Sequence, residues 1–338
     1  DCPNQDVVDK LQELQGLHRV KTAQDDHWRT YSYSRSIPHI RAYKTRIKSY
    51  AEARKIPRVG HRTAMKIMEI INSGELQRIK FERTPDVQAM KLFEGIYGVG
   101  PTTGLRWYMN GLRTLDDVRN EKNGIKLTPA QRIGVEFYDD INERMPREEV
   151  QALFDLIKPR VLNIDPRLVV QVMGSFRRGK ADCGDIDILI TRPTDDGKTH
   201  RGAFLLLLSY FIVTEDLAMP DDGDGDEGIY RGLCRLPKEG SKRRRIDFLV
   251  VPWESRGAAL IYYTGDDIFN RAMRFKAGNM GYSLNQHGLF AGVVRDPRNR
   301  QNKLNEGNVI ASATEEEIFR ILGVPWQEPH QRVRSNIS

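Results

Sequence analysis

The residue types able to do chemistry gather in one stretch, from Gly174-Ser175-Phe176-Arg177-Arg178-Gly179 to Gly184-Asp185-Ile186-Asp187-Ile188. A strand has a period of two, so Asp185 and Asp187 project to one face while Ile186 and Ile188 enter a core. Two carboxylates on one face repel each other unless a cation lies between them, and a divalent metal is the usual answer. The glycine-serine turn upstream offers backbone N–H groups and a hydroxyl to phosphate oxygens. A third carboxylate, Asp247, interrupts the apolar run 246–251. A carboxylate in such a run is costly unless paired or metal-bound. A salt bridge to Lys242, Arg243, Arg244 or Arg245 is the ordinary alternative. With a carboxylate pair on a neighbouring strand, the pattern favours three metal-site aspartates. Three carboxylates suit two magnesium ions, with manganese as the alternative ion, and metal-dependent nucleotidyl transfer.

The elements that must position these residues follow from hydrophobic spacing. Strands are expected over 166–173, 185–191, 229–236 and 245–252, with a helix over 202–212. Upstream the pattern is helical: 6–17, 33–43, 47–53, 115–119, 129–144 and 147–158. The segment Ile56-Pro57-Arg58-Val59-Gly60-His61-Arg62 reads as a helix-hairpin-helix, with Arg58 where glycine is usual. Ile96-Tyr97-Gly98-Val99-Gly100-Pro101 is a second copy. Free N–H groups at the second helix of each hairpin hold a DNA phosphate without reading sequence. Basic residues, including Arg29, interleave with aromatics such as Trp28 and Tyr33, as phosphate pairing plus base stacking requires. A solvated helix face with aromatic core positions gives the same pattern.

At 338 residues, two to four structural units are expected. The formal net charge of +7 favours an anionic partner, nucleic acid before membrane. Cys2, Cys183 and Cys234 have no Cys-x-x-Cys spacing, which argues against a zinc or disulfide framework and for a reducing compartment. The most apolar run, 204–213, is too short to span a membrane and reads as a buried helix. The acidic segment 220–228 starts like a calcium loop, but Glu227 stands where that loop needs glycine, so it reads as an acidic loop. The chain opens abruptly at Asp1, so the expectation is a piece of a longer protein.

These motifs, with Arg144 in Glu-Arg-Met-Pro-Arg-Glu-Glu and Tyr262-Tyr263-Thr264-Gly265 followed by Asn270 and Arg274, resemble the family X DNA polymerases. The resemblance runs from about Val7 to Pro329. It implies an α+β multi-domain chain. An all-helical lyase domain (1–80) carries the first hairpin, and helical fingers (81–143) carry the second. A nucleotidyltransferase-type mixed β-sheet palm with helices (144–251) and an α/β thumb (252–338) follow.

By match, Asp185, Asp187 and Asp247 are the metal-binding catalytic triad. Arg144, Ser175, Arg178 and Gly184 contact the triphosphate; Tyr262, Tyr263 and Gly265 line the sugar. Asn270 contacts the incoming base, Arg274 the template, and Arg245 lies near the primer end. Lys66 matches the lyase nucleophile, whose amine attacks a 5′-deoxyribose-phosphate aldehyde. His61 and Arg62 match 5′-phosphate contacts, with Arg29 and Tyr33 as helpers, and Gly60, Gly98 and Gly100 belong to the DNA-backbone hairpins.

The implied function is gap filling in base excision repair and end joining. The implied partners are gapped or broken double-stranded DNA with a 5′-phosphate, deoxynucleoside triphosphates, and repair-complex proteins recruited through a segment before Asp1, with no membrane, for a nuclear monomer. A template-independent nucleotidyltransferase and a non-catalytic DNA-end-binding scaffold are the alternatives. Tyr263 replaces a common phenylalanine, and Gln286 a frequent glutamate.

Overall fold

The computed structural model describes residues 2–21, 23–201, 215–216 and 228–332. The helix expected over 202–212 and most of the acidic segment 220–228 lie outside them. Backbone contacts divide the chain into two compact units, Asp1–Gln131 and Arg132–Ser338.

The first unit is helical. Helix α1 (Gln5–Arg19) buries Val7, Val8, Leu11, Leu14, Leu17 and His18, one stripe at helical spacing. Helix α2 (Gln24–Ala42) buries Asp26, Tyr33, Ile37 and Ile40, and runs through Pro38. It starts nine residues before the expected helix, because its polar first half carries no apolar stripe. Helix α3 (Tyr50–Lys55) is capped by Ser49, whose hydroxyl accepts the Glu52 N–H. Helices α4 (His61–Ser73) and α5 (Gln77–Glu82) complete the first core, joined by Gly74 in the left-handed region. Helices α6 (Pro85–Glu94), α7 (Pro101–Met109) and α8 (Leu115–Arg119) follow.

Both hairpins form. Gly60 and Gly100 are the N-caps of α4 and α7, and neither cap position supplies a side-chain acceptor to the helix N–H groups. Gly98 turns the second hairpin with φ +80°; Arg58 takes the same place in the first with φ +66°. That region is strained for a residue with a Cβ.

The expected helix 129–144 is two helices, α9 (Pro129–Glu136) and α10 (Tyr138–Asn142). Phe137 leaves helical geometry between them, and its ring carries the Arg243 guanidinium 4.0 Å away. Helix α11 (Arg147–Ile164) follows the two-residue strand β1 (Met145–Pro146) and continues past Lys158 through Pro159 to Ile164.

The second unit is built on a five-stranded mixed sheet of order β2-β4-β7-β6-β5. Its strands are β2 (Val169–Val172), β4 (Ile186–Thr191), β5 (Glu215–Asp216), β6 (Gly228–Cys234) and β7 (Arg244–Val250). The glycine-serine turn is one helical turn, α12 (Gly174–Arg177), followed by β3 (Asp182–Cys183), which pairs with β1. Ile186, Ile188, Ile190, Ile246, Phe248 and Val250 bury one face against α11, so the alternate residues share the other face.

Beyond the sheet, α13 (Arg256–Thr264), α14 (Asp267–Asn279) and α15 (Glu315–Ile321) surround a core with the antiparallel sheet of β8 (Ser283–Asn285), β9 (Gly288–Ala291) and β10 (Asn308–Ala311). The three cysteines are free. Among the described residues, no helix is long and apolar enough to cross a membrane.

The left-handed Arg58 yields a prediction. A left-handed non-glycine residue costs on the order of 1–2 kcal/mol, and glycine loses about 0.5–1 kcal/mol more entropy on folding. Arg58→Gly is therefore expected to stabilise the protein by about 0.5–1 kcal/mol in urea denaturation. A loss of stability would mean that the arginine side chain itself holds the hairpin.

Candidate active site

The sheet register brings the carboxylates together. Strands β4 and β7 are parallel neighbours, and Asp187 stands directly opposite Asp247. Asp185 lies just before β4, two residues from Asp187, and the Arg245 Nη2 approaches its Oδ2 at 3.4 Å. Burial, then the charges of Asp185 and Asp247, push the Asp187 carboxyl well above the usual range. Burial pushes Asp247 up to about 6, against the pull of Arg245 and Arg231. The buried Oδ1 of Asp247 has no hydrogen-bond partner. A cluster of under-compensated carboxylates with an orphaned oxygen fits hard divalent cations.

Gly174 fixes the approach of the upstream turn. Its φ is +60°, and a Cβ there would meet Asp187 Oδ2 at 2.9 Å. The turn therefore sits against the carboxylates with the Ser175 and Arg178 side chains beside them. A cleft of about 490 Å³ is lined by Arg144, Ser175, Arg178, Gly184, Asp185 and Asp187 on one side. Tyr262, Tyr263, Gly265, Asn270 and Arg274 line the other. Asp247 and Arg245 adjoin it on β7. Asn270 Nδ2 donates to the Tyr262 carbonyl at 2.7 Å, and its buried Oδ1 lacks a partner.

The wall is braced from behind. Arg178 Nη1 donates to the Thr264 carbonyl at 2.5 Å. Arg177 grips Glu315 through two bonds of 2.9 and 2.8 Å and also reaches the Thr264 hydroxyl. Glu315 in turn accepts from Arg332, which is fully buried, at 2.6 Å.

The basic run before Asp247 does not neutralise it as a group. Lys242 pairs with Glu143, Arg243 lies over Phe137, and Arg244 is bidentate to Glu149. Only Arg245 of the four faces the aspartates. The other cation beside Asp247 is Arg231, its cross-strand neighbour, at 3.8 Å.

A second cleft, of about 360 Å³, lies in the helical unit and is lined by His18, Trp28, Arg29, Ser32, Tyr33, Arg62, Thr63, Lys66 and Arg78. His61, Arg62, Lys66, Glu69 and Arg78 line an adjoining depression. Burial, then the guanidinium groups of Arg78, Arg62 and Arg29, lower the pKa of Lys66. The fraction of free amine at neutral pH rises accordingly, which a nucleophile requires. His61 Nδ1 and the Tyr50 hydroxyl share a 2.7 Å bond.

At His18, the ligand atoms of His18, Asp26 and Glu82 lie within 4.8 Å of one another, close enough to hold a divalent metal ion. No other group of three among the described residues is so tight, so the three aspartates of the sheet stand further apart. Here, however, cations hold the carboxylates: Lys21 and Arg78 on Glu82, and Arg29 on Asp26.

Comparison with known proteins gives the family of both units. Residues 144–253 match the DNA polymerase beta palm, 259–333 the DNA polymerase beta thumb, 91–142 the fingers domain of DNA polymerase lambda, and 2–76 a helix-hairpin-helix domain. The chain belongs to the family X DNA polymerases. It is 39% identical to DNA polymerase lambda of Rattus norvegicus over 333 residues, covering 97% of this chain and 56% of the relative. It is 36% identical to DNA polymerase lambda of Arabidopsis thaliana over 338 residues, covering 97% of this chain and 62% of that protein. Thus the chain spans little more than half the length of these curated relatives. The sheet of the second unit is the family's palm, and the helices and small sheet after it are the thumb.

Some residues of the two sites escape sequence reasoning. Arg78 and His18 line the Lys66 cleft from separate helices, and Arg231 reaches Asp247 only through antiparallel register. The Arg177–Glu315–Arg332 brace joins residues 138 and 17 positions apart in sequence.

That brace gives a prediction. Glu315→Ala strands two buried or half-buried guanidinium groups, which costs about 3–5 kcal/mol. Although burial raises the Glu315 pKa, bonds from Arg177 and Arg332 outweigh it and hold the group below the ordinary glutamate value. A depressed carboxylate contributes stability above its unfolded pKa and loses it as pH falls. The Glu315→Ala deficit in thermal melts is therefore expected to shrink from pH 7 toward pH 4; a deficit independent of pH would contradict the ion-pair account.

Proposed function

We propose that the chain is a DNA-directed DNA polymerase that fills short gaps, with 5′-deoxyribose-phosphate lyase activity in its helical unit. The observation that carries the polymerase reading is the register of Asp187 against Asp247 beside the Ser175–Arg178 turn. Asp185, Asp187 and Asp247 would hold magnesium, with manganese as the alternative. When bound, the ions supply Lewis acidity for the primer 3′-hydroxyl and charge stabilisation for the transition state and the pyrophosphate leaving group. Arg144, Ser175, Arg178 and Gly184 bind the triphosphate of the incoming deoxynucleotide. Tyr262, Tyr263 and Gly265 line its sugar, Asn270 meets its base, and Arg274 meets the template. Arg245 orients the carboxylates next to the primer end.

In the helical unit, Lys66 attacks the aldehyde of a 5′-deoxyribose phosphate. Arg62, His61 and Arg29 bind its phosphate, and Tyr33 backs the cleft. The hairpins at Gly60, Gly98 and Gly100 hold the DNA backbone without sequence readout. The physiological substrate is gapped or broken duplex DNA with a 5′-phosphate, met by a monomer in the nucleus during base excision repair and end joining.

One substrate checks both activities: a one-nucleotide gapped duplex with a 5′-deoxyribose-phosphate end, magnesium and four deoxynucleotides. Templated extension is expected to vanish in Asp247→Ala and persist in Lys66→Ala. Borohydride trapping is expected to vanish in Lys66→Ala and persist in Asp247→Ala. Extension that ignores the template base, or trapping that survives Lys66→Ala, contradicts the corresponding assignment.

A further inference from the structure

The Lys66 cleft contains a second group suited to the lyase reaction. We propose that His18 is the base that removes the C2′ proton of the Lys66-bound sugar, an inference that rests on the lyase reading above.

His18 lies on the floor of the cleft that Lys66 lines. Its Nδ1 and Asp26 Oδ1 are 2.6 Å apart, both groups buried. An ionised carboxylate only accepts, so Nδ1 carries the proton and Nε2 presents its lone pair. That Nε2 is buried and has no hydrogen-bond partner. Tyr33 stacks along the ring, centroids 6.2 Å apart, and fixes its plane.

The rest of the lining leaves few rivals. The guanidinium groups of Arg29, Arg62 and Arg78 only donate, and Ser32, Thr63 and Trp28 offer no basic lone pair. Burial raises Tyr33 to about 12. Charged groups face His18 from two helices, Asp26 and Arg29 on α2 and Glu82 on α5, and Glu82 is itself paired with Lys21 just beyond α1. Burial outweighs the pull of Asp26 and Glu82 and lowers the His18 pKa, which favours the neutral ring. In the adjoining depression, the Glu69 carboxylate accepts the Gln77 N–H at 2.7 Å, and His61 is tied to Tyr50.

The chemistry balances without a further reactant. The Lys66 Nζ adds to the C1′ aldehyde carbon, and its oxygen leaves as water, giving an imine. His18 Nε2 takes the C2′ proton, and the C–H electron pair becomes the C2′=C3′ double bond. The C3′–O3′ bond breaks and the 5′-phosphorylated DNA strand leaves. Hydrolysis of the imine regenerates Lys66, and the His18 proton passes to solvent.

The test separates imine formation from elimination, using the whole chain and a gapped duplex with a 5′-deoxyribose-phosphate end. In His18→Gln, borohydride trapping and templated extension are expected to persist while strand release slows about 10²-fold or more. Asp26→Asn, which keeps the imidazole but frees its tautomer, is expected to slow release in the same direction. Release at the parental rate in either variant with trapping intact overturns the proposal. So does an equal split produced by Glu69→Gln or His61→Ala. Should His18→Gln lose trapping as well, Asp26→Asn alone decides. Trapping that survives Lys66→Ala would instead overturn the assignment of Lys66, and a parent chain that neither traps nor releases the strand would overturn the lyase reading itself.

Discussion

Two like charges face each other across adjacent parallel strands, and the arrangement of the palm depends on that placement. Asp187 and Asp247 occupy matched positions on β4 and β7. The pairing is fixed by the apolar residues that alternate with them, because slipping one strand by one residue would turn isoleucine and phenylalanine out of the core. Core burial thus holds a repulsive pair in place, and burial first, then the charge of neighbouring carboxylates, raises both carboxyl pKa values. The surrounding devices serve this pair: Gly174 lets the glycine-serine turn touch Asp187, and Arg245 and Arg231 reach in from the flank. Arg177, Glu315 and Arg332 brace the opposite wall. Fold stability is spent where a divalent cation would be held.

The helical unit uses the opposite sign. Lys66 sits half-buried among three guanidinium groups, and two buried carboxylates hold two of them in place. Cations crowded beside a lysine free its amine, just as carboxylates crowded on a strand invite a metal. Each cleft is an electrostatic imbalance that the hydrophobic core beside it sustains.

How much of this was legible depended on range in sequence. Strand alternation placed Asp185 and Asp187 on one face and the apolar run singled out Asp247, which the register of β4 and β7 sets opposite Asp187; alternation along β7 sends Arg244 to Glu149 and Arg245 to the aspartates. The hairpins were legible from Gly-x-Gly spacing, including Arg58 at a position that takes a left-handed conformation. Local periodicity failed where tertiary contacts decide. Phe137 breaks an expected helix beside the Arg243 guanidinium, and α11 continues through Pro159 on the buried stripe of Val150, Leu153, Ile157 and Val161. The Asp247 partner Arg231, the Glu315 brace and the His18–Asp26 pair all join separate elements, and spacing along one element carries no signal of them.

The most direct measurement of the central claim is a set of thermal melts of the parent chain and Asp247→Asn, each in chelator and in magnesium. A carboxyl whose folded pKa is raised costs stability once it is ionised, so removing its charge should return that stability. The account predicts that Asp247→Asn melts several degrees higher than the parent in chelator, and that magnesium raises the parent far more than the variant. A variant that melts lower in chelator, or responds to magnesium as the parent does, would contradict it.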